Sequence, residues 1–485
     1  MPHPPASLIL LLIVAALAWI HLEIAIALIP LALPYYLELQ PLNASGSIKS
    51  SLGEISLLIC LGVALLRTLL LAADRRASLE WARGLWAQAR LFLPPAMLLL
   101  IGAGLALLFS PDRHNSLRAY REEVIEPLLY FLLILRYLRT RTDLARAVSA
   151  FLLSALIVAV LGIYQGTIEQ SHYFVNATTL RVEGPYGSPN NLGLFLERAL
   201  PILLAFALLN ILRRPPVAAA LRRPFWRDPL RWLCLLVSIP LLVAVYLTQS
   251  RGAEVGLLVA VVFFFIIEVR QWLAIVGLLV VGAAGGWLLW PRLVQLSEQG
   301  HAGTVSERLL YWKAAMLLIR DHFLFGTGPD SFGTLYGPKH PDSYALKALN
   351  GQPFPSTYDP GISHPHNMLL DFWISSGLLG LAALLWLLGA FTLVLVRLYR
   401  LCGTLIQGDL LQRALLGIAG SMVAMIVHGM VDNFYFLPDL SMVFWLFIGL
   451  LLVIGGIAQR EGKMPRQDAA LPLQEQPSRS TAGPA

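Results

Sequence analysis

Runs of about 20 apolar residues recur along the chain, each long enough to cross the ~30 Å hydrocarbon layer of a bilayer as a helix. They lie near 54–73, 92–110, 125–138, 145–166, 191–212, 230–248, 252–269, 271–290, 367–397, 411–431 and 438–458. Residues 6–37 are also apolar but hold Glu23 and Pro30, which fits one long kinked crossing or two short ones. Backbone inside lipid must satisfy its own hydrogen bonds, and runs of this length do so as helices. The predicted fold class is an all-α polytopic membrane protein. Composition agrees: 13% of residues are charged, against about 25% in soluble domains.

No basic stretch precedes the first apolar run and no small-residue cleavage site is evident, so residues 6–37 read as an uncleaved membrane segment. Cys60, Cys234 and Cys402 stand apart from one another in or beside apolar runs. They read as small packing residues, not as a disulfide framework or zinc site. The segment 461–485 is rich in Pro, Gln and Ser and is expected to be a disordered cytoplasmic tail.

The net charge is +7, and its placement matters more than its size. Arginines cluster at 75–90, 136–146, 213–231, 270, 397–413 and 460, so every second loop is basic. That is the positive-inside pattern. It gives about twelve spans with both termini in the cytoplasm if 6–37 crosses once. The basic loops lack the aromatic platform that single-stranded nucleic acid needs, so no nucleic-acid partner is expected. Membrane lipids are the expected surroundings. Three further parts follow: the first transmembrane helices with short loops over 1–290, a large periplasmic loop at 291–366, and the last spans over 367–460. The outer loops are 39–52, 111–124, 167–190, 249–251, 291–366 and 432–437. A loop as long as 291–366 is uncommon unless functional.

That loop opens on a helix. The Thr-Val-Ser-Glu pattern at 304–307 is a capping box, and Arg308, Trp312, Ala315 and Ile319 recur on one face. The helix is either an amphipathic surface anchor with a solvated arginine or the carrier of a functional one. The glycine-rich stretch 325–333 permits tight turns but lacks the Gly-Lys-Ser/Thr of a phosphate loop. Asn367 is a natural N-cap for the following helix, which sets His366 beside the positive end of the helix dipole. That field discourages protonation and leaves a ring able to accept a proton. Arg251 lies in a very short outer turn, where it either snorkels or binds an anion. Arg181 precedes the span that starts near Asn190 and Asn191, two asparagines read as caps. Arg118 and Arg121 read as a basic face touching headgroups or as guides for an anionic donor. Asp432 and Asn433 read as turn residues.

The outer face therefore offers arginines and a histidine, with no paired carboxylates at metal-ligand spacing. Guanidinium forks hold phosphate oxygens and the charge that develops as a sugar–phosphate bond breaks. A histidine removes the proton of an acceptor hydroxyl. No metal or other cofactor is required.

In order and spacing, Gln249–Gly252, Glu307 and Arg308 with Tyr311–Ala314, Phe325–Gly328, and His366 with Asn367 resemble the signature of the O-antigen ligase and polymerase superfamily. The resemblance spans roughly 180–400 by motif and most of the chain by topology. It implies a GT-C-like membrane fold and metal-independent, inverting transfer from an undecaprenyl-diphosphate-linked glycan donor. It maps the donor diphosphate to Arg251 and Arg308 and acceptor activation to His366. Arg181, His364, Arg118, Arg121 and Asn191 are possible accessory residues, and His364 has no clear counterpart in the family. A ligase with a lipid A–core acceptor, on the periplasmic side of the bacterial inner membrane, is the leading expectation. A polymerase, a protein O-oligosaccharyltransferase and a transporter or flippase are its rivals. A transporter would show internal repeats and polar residues at the midplane, and neither was read here.

Overall fold

The computed structural model describes residues 4–36, 40–41, 49–71, 83–169, 173–176, 179–209, 227–268, 304–352, 362–403, 405 and 408–463. The expected span at 271–290 and most of the expected tail lie outside these residues. Seven described helices are long and apolar enough to cross a membrane, or eight if the bent pair Arg83–Ala89 and Leu93–Phe109 is one span. The chain is thus a multi-pass membrane protein.

Three expected spans form helices in their expected places but fall short of plain membrane-spanning ones. Residues 6–37 become two shorter helices, Pro4–Ile20 and Leu22–Leu28, the second running into a 3-10 turn at Ile29–Tyr35. The helix Glu126–Tyr137 has only 12 residues. It continues a helical run from Arg113 through a π-turn at Tyr120–Ile125, so the expected outer segment 111–124 and the next span are one rod. The helix Arg251–Glu268 carries Arg251, Glu254 and Glu268, more charge than a plain span tolerates. The all-α expectation also misses two small antiparallel pairs. Gln40–Pro41 pairs with Lys49–Ser50, and Tyr173–Asn176 with Thr179–Val182.

The last helix, Pro438–Lys463, is the axis of the bundle, with 94% of its apolar window buried. Trp445 is fully buried there and donates its indole N–H to the Tyr435 hydroxyl at 3.0 Å. Phe131 lies 5.0 Å from its ring, and Phe151 lies 5.5 Å from Phe447 two residues on. The helices Leu52–Leu71, Pro229–Thr248 and Met368–Cys402 are peripheral, with only 33% of their windows buried. Their outward residues include Leu65, Leu69, Trp232, Leu236, Leu385 and Trp386. So much exposed apolar surface is tolerable only against lipid. All three cysteines are buried and free, as packing residues should be.

Basic side chains at one end of the bundle are spent on structure. Arg231 donates to the carbonyls of Ala207 and Leu209 at a helix end, and Arg413 pairs with Asp228 and Asp409. Arg141 makes a bidentate pair with Glu461. The other end carries the loops among which the functional candidates lie.

The helix Met368–Cys402 is broken at Gly377, whose φ of 65° and ψ of −165° are not helical. The glycine-rich loop docks into the break. Thr327 N donates to Ile374 O at 2.7 Å, and Leu378 N to Leu324 O at 3.1 Å. A Cβ on Gly377 would lie 2.3 Å from Leu324 O, and one on Gly326 would lie 2.3 Å from Ile374 O. The two glycines let two backbones touch, which fixes the loop beneath the site. We expect Gly377→Ala to lower stability by about 1–3 kcal/mol or more. Gly389→Ala, in the same helix with open space around it, should be neutral or stabilising by up to about 1 kcal/mol. Thermal unfolding of the purified variants checks both, and equal melting temperatures would show that the junction is not strained by a side chain.

Candidate active site

The loop helix begins at Thr304 and ends at Asp321. Its apolar face is covered by protein. Tyr311, Ala314, Ala315, Leu318 and Ile319 pack with Phe332, Tyr336, Tyr344, Ala345, Ile362 and Ile374 in one cluster. This packing aims Arg308 and Trp312 at the segment before the broken helix. Trp312 Nε1 donates to His366 O at 3.3 Å, and the Tyr311 ring stacks on the His366 ring with centroids 5.6 Å apart. Asn367 caps the helix as its position predicts, accepting from Leu369 N and Leu370 N. Its amide also donates to Met430 O at 2.9 Å, tying the cap to the turn that holds Asp432. His366 sits at φ 53°, in the left-handed region, held there by these contacts.

Asp432 is the centre of the arrangement and is 2% exposed. Its Oδ1 lies 2.9 Å from His366 Nδ1 and 3.4 Å from His364 Nε2, and it accepts from Asn433 N at 2.8 Å. Its Oδ2 lies 3.3 Å from Arg308 Nη2, 3.3 Å from Asn190 Nδ2 and 3.8 Å from His428 Nε2. Burial alone would raise this carboxyl. The His366 charge and hydrogen bonds from His364, His366 and His428 outweigh it and hold Asp432 well below the usual carboxylate range. The reading of Asp432 as a mere turn element is therefore corrected. An acid in a short outer turn between two spans was the available signal.

Arg181 reaches the same place from the second hairpin. Its Nε donates to Thr248 O at 2.9 Å and its Nη2 to Asn190 Oδ1 at 2.8 Å. Burial, with the neighbouring charges of Arg251 and Arg308, lowers the Arg181 pKa from its ordinary value against the pull of Asp432. Arg251 and Arg308 therefore each stand close enough to act on Arg181. Thr248 belongs to the turn before Arg251, so Arg181 also braces that turn. Gly252 is required there: a Cβ on it would lie 2.1 Å from the His428 ring. His428 in turn meets the fully buried Glu197, Nδ1 to Oε2 at 2.9 Å. Glu197, Arg198 and His428 inside apolar runs went unremarked in the sequence, although an ionisable residue within a span is itself a signal.

Three accessory candidates are placed otherwise. The hairpin arginine pairs with Asn190, so it is Asn190 rather than Asn191 that joins the cluster. The helix cap there is Ser188. Arg121 binds Glu54, Glu122 and Glu126. Arg118 stands among Glu122, Glu123 and Asp330. Neither of these two arginines reaches Asp432 among the described contacts.

Both His364 nitrogens are engaged, Nε2 with Asp432 and Nδ1 with the Ser363 hydroxyl at 3.1 Å. His366 spends only Nδ1, and no described group bonds its Nε2. With Asp432 fixing the Nδ1–H tautomer, His366 Nε2 is the acceptor available for a substrate proton, the logic of an Asp–His pair. The ligand atoms of His364, His366 and Asp432 also lie within 4.8 Å of one another, as a cation site would require. Arg308 on the same carboxylate, with Arg181 and Arg251 behind it, makes this a poor place for a second positive charge.

Together these features define a multi-pass membrane protein with a cationic, histidine-containing site where its loops converge. Residues 236–385 match the family described as O-Antigen ligase. The matched segment contains Arg251, Arg308, His364 and His366. No curated protein matches the chain. Among solved structures, a chain described under structural coordination of polymerization and crosslinking by a peptidoglycan synthase complex aligns at 15% identity. That alignment covers 78% of this chain and 98% of the other, with a TM-score of 0.40. The rod shape determining protein RodA of Thermus thermophilus aligns at 16% identity over 78% of this chain and 97% of its own, with a TM-score of 0.35.

His366→Ala should reduce activity by about 10²–10⁴-fold, the usual worth of a general base, while His364→Ala keeps a larger share. The reverse order in a rate measurement would move the base to His364. The lowered Asp432 carboxyl contributes stability that is complete above about pH 4 and is lost as pH falls through its folded value. The gap in melting temperature between wild type and Asp432→Asn should therefore be steady from about pH 5 to 8 and narrow below about pH 4. A gap that widens on acidification would contradict the charged state assigned here.

Proposed function

We propose that the protein is an O-antigen ligase of the bacterial inner membrane. It transfers an undecaprenyl-diphosphate-linked glycan to lipid A–core at the periplasmic face. The observation that carries this reading is the His366–Asp432 pair at 2.9 Å with Arg308 on the other carboxylate oxygen. The family match over 236–385 supports it. So does the charge pattern, since the basic loops expected in the cytoplasm alternate with the loops that carry the site.

In this reading the acceptor hydroxyl oxygen attacks the anomeric carbon of the donor sugar. Its proton passes to His366 Nε2, and Asp432 stabilises the imidazolium that forms. The bond between that carbon and the diphosphate oxygen breaks, and the electron pair leaves with the prenyl diphosphate. A single displacement of this kind inverts the anomeric centre. Arg181, Arg251 and Arg308 hold the leaving group. An anion there would offset the positive charges of Arg251 and Arg308 around the buried Arg181, and guanidinium forks match phosphate oxygens two at a time.

Deletion of the gene separates the possible acceptors. Lipopolysaccharide that runs as core without O-antigen supports the ligase. Core bearing one repeat indicates a polymerase instead. Unchanged lipopolysaccharide with an unglycosylated protein substrate indicates a protein O-oligosaccharyltransferase. Arg251→Ala and Arg308→Ala should weaken donor use, with Lys at either position restoring only part because the fork is gone. EDTA should leave turnover unchanged. Inhibition reversed by magnesium would overturn the metal-free mechanism and favour the cation reading of the His364, His366 and Asp432 cluster.

A further inference from the structure

A cavity of about 190 Å³ opens next to the segment that carries the histidines, and Arg181, Arg251 and Arg308 are not among its lining residues. It is lined by Arg118, Glu122, Glu123, Asp330, Ser363 and Phe436 among others. Glu123 is 6% exposed, and its Oε2 is buried with no hydrogen-bond partner. A buried carboxylate oxygen left without a donor is costly, and such orphans are rare unless a ligand or water completes them. Glu122 is already committed to Arg121 at 2.8 Å. Asp330 is held at φ 56°, and burial raises its carboxyl from the ordinary value against Arg118 and His364. The cavity reaches the catalytic centre through Ser363, whose hydroxyl lies 3.1 Å from His364 Nδ1. The rings of His364 and His366 are 4.3 Å apart.

We propose that this cavity is the acceptor subsite and takes one uncharged, hydroxyl-bearing sugar ring, with Glu123 Oε2 and Asp330 accepting from its hydroxyls and Phe436 lying against its apolar side. The inference rests on the glycosyl-transfer reading above. Arg121 offsets Glu122 and Arg118 faces Asp330, so this lining lacks the set of uncommitted cations a diphosphate needs and offers hydrogen-bond acceptors instead. Arg118 within the lining disfavours a bare cation. The volume is below the roughly 300–1,000 Å³ of pockets that bury larger ligands, so it admits a single ring and leaves the rest of the acceptor outside.

The test uses full-length protein in nanodiscs, with an undecaprenyl-diphosphate-linked glycan as donor and lipid A–core as acceptor, each varied in turn. Glu123→Gln and Asp330→Asn should each raise the acceptor KM by about tenfold, the cost of a hydrogen bond to a charged group. The donor KM should stay at the wild-type value, which also reports that the arginine side is folded. An unchanged acceptor KM, a shift confined to the donor KM, or tight calcium binding that Glu123→Gln removes would overturn the subsite. If Glu123→Gln fails to fold, Asp330→Asn, which lies in a loop outside the spans at a positive φ that Asn tolerates, decides alone. Wild-type protein that elongates the glycan but does not modify lipid A–core defeats the ligase reading. The subsite then stands or falls on the same KM shift measured with the growing glycan. Absence of any glycan transfer by wild type defeats both.

Discussion

A carboxylate at 2% exposure stays charged only when its partners repay the lost hydration, which costs several kcal/mol even after relaxation. Asp432 meets that condition by drawing four segments to its own turn. The loop helix sends Arg308, the segment before the broken helix sends His364 and His366, and the penultimate described helix sends His428. The helix Pro189–Leu208 sends Asn190, and Asn433 supplies a backbone N–H. The two oxygens divide these partners, Oδ1 taking both loop histidines and Oδ2 taking Arg308 and Asn190. One buried charge thus assembles the loops and, in the proposed transfer, separates a proton-accepting side from an anion-binding side.

The membrane bundle makes such an assembly affordable in geometry. The axial helix Pro438–Lys463 starts a few residues after Asp432, and its packing around Trp445 fixes where that turn stands. Arg198, fully buried, donates to Phe434 O and Leu440 O at 2.9 Å and so closes the turn from below. Glu197 next to it holds His428, which reaches back to Asp432. These ionisable residues lie within spans, where an unpaired charge is expensive, and each is spent on locating the residues above it. A rigid support of this kind is what keeps reacting groups within the narrow tolerance that chemistry needs.

Much of this was legible in the sequence, and the rest was not for identifiable reasons. Apolar runs located the spans because the bilayer imposes length and polarity on each segment independently of its neighbours. Asn367 was legible as a cap because capping is decided within four residues. Arg181, Arg251, Arg308, His364 and His366 were legible because charged and titratable groups at one boundary are few. Asp432 was misread because a turn aspartate has a sufficient local explanation, while its partners lie 66 and 124 positions away in sequence. The choice of Asn190 over Asn191 depends on which side of the first helical turn faces Arg181, which only the packed helix decides. Arg121 was misassigned for the same reason, since Glu54 meets it from a distant helix.

The choice between the two histidines shows how geometry decides what residue type leaves open. Both rings touch the same carboxylate oxygen, so proximity to Asp432 does not separate them. Valence does: an imidazole has two nitrogens, and a ring that uses both for structure has none left for a substrate. His364 bridges Asp432 and Ser363 and is consumed, whereas His366, turned by its left-handed backbone and stacked on Tyr311, keeps Nε2 available. His364 then serves to position its neighbour, and it separates Ser363 from the centre that Asp432 governs. Under the proposed transfer, the acceptor proton and the departing diphosphate are thereby drawn to opposite sides of one carboxylate. The same side chain that balances the imidazolium already holds one of the cations facing the leaving group.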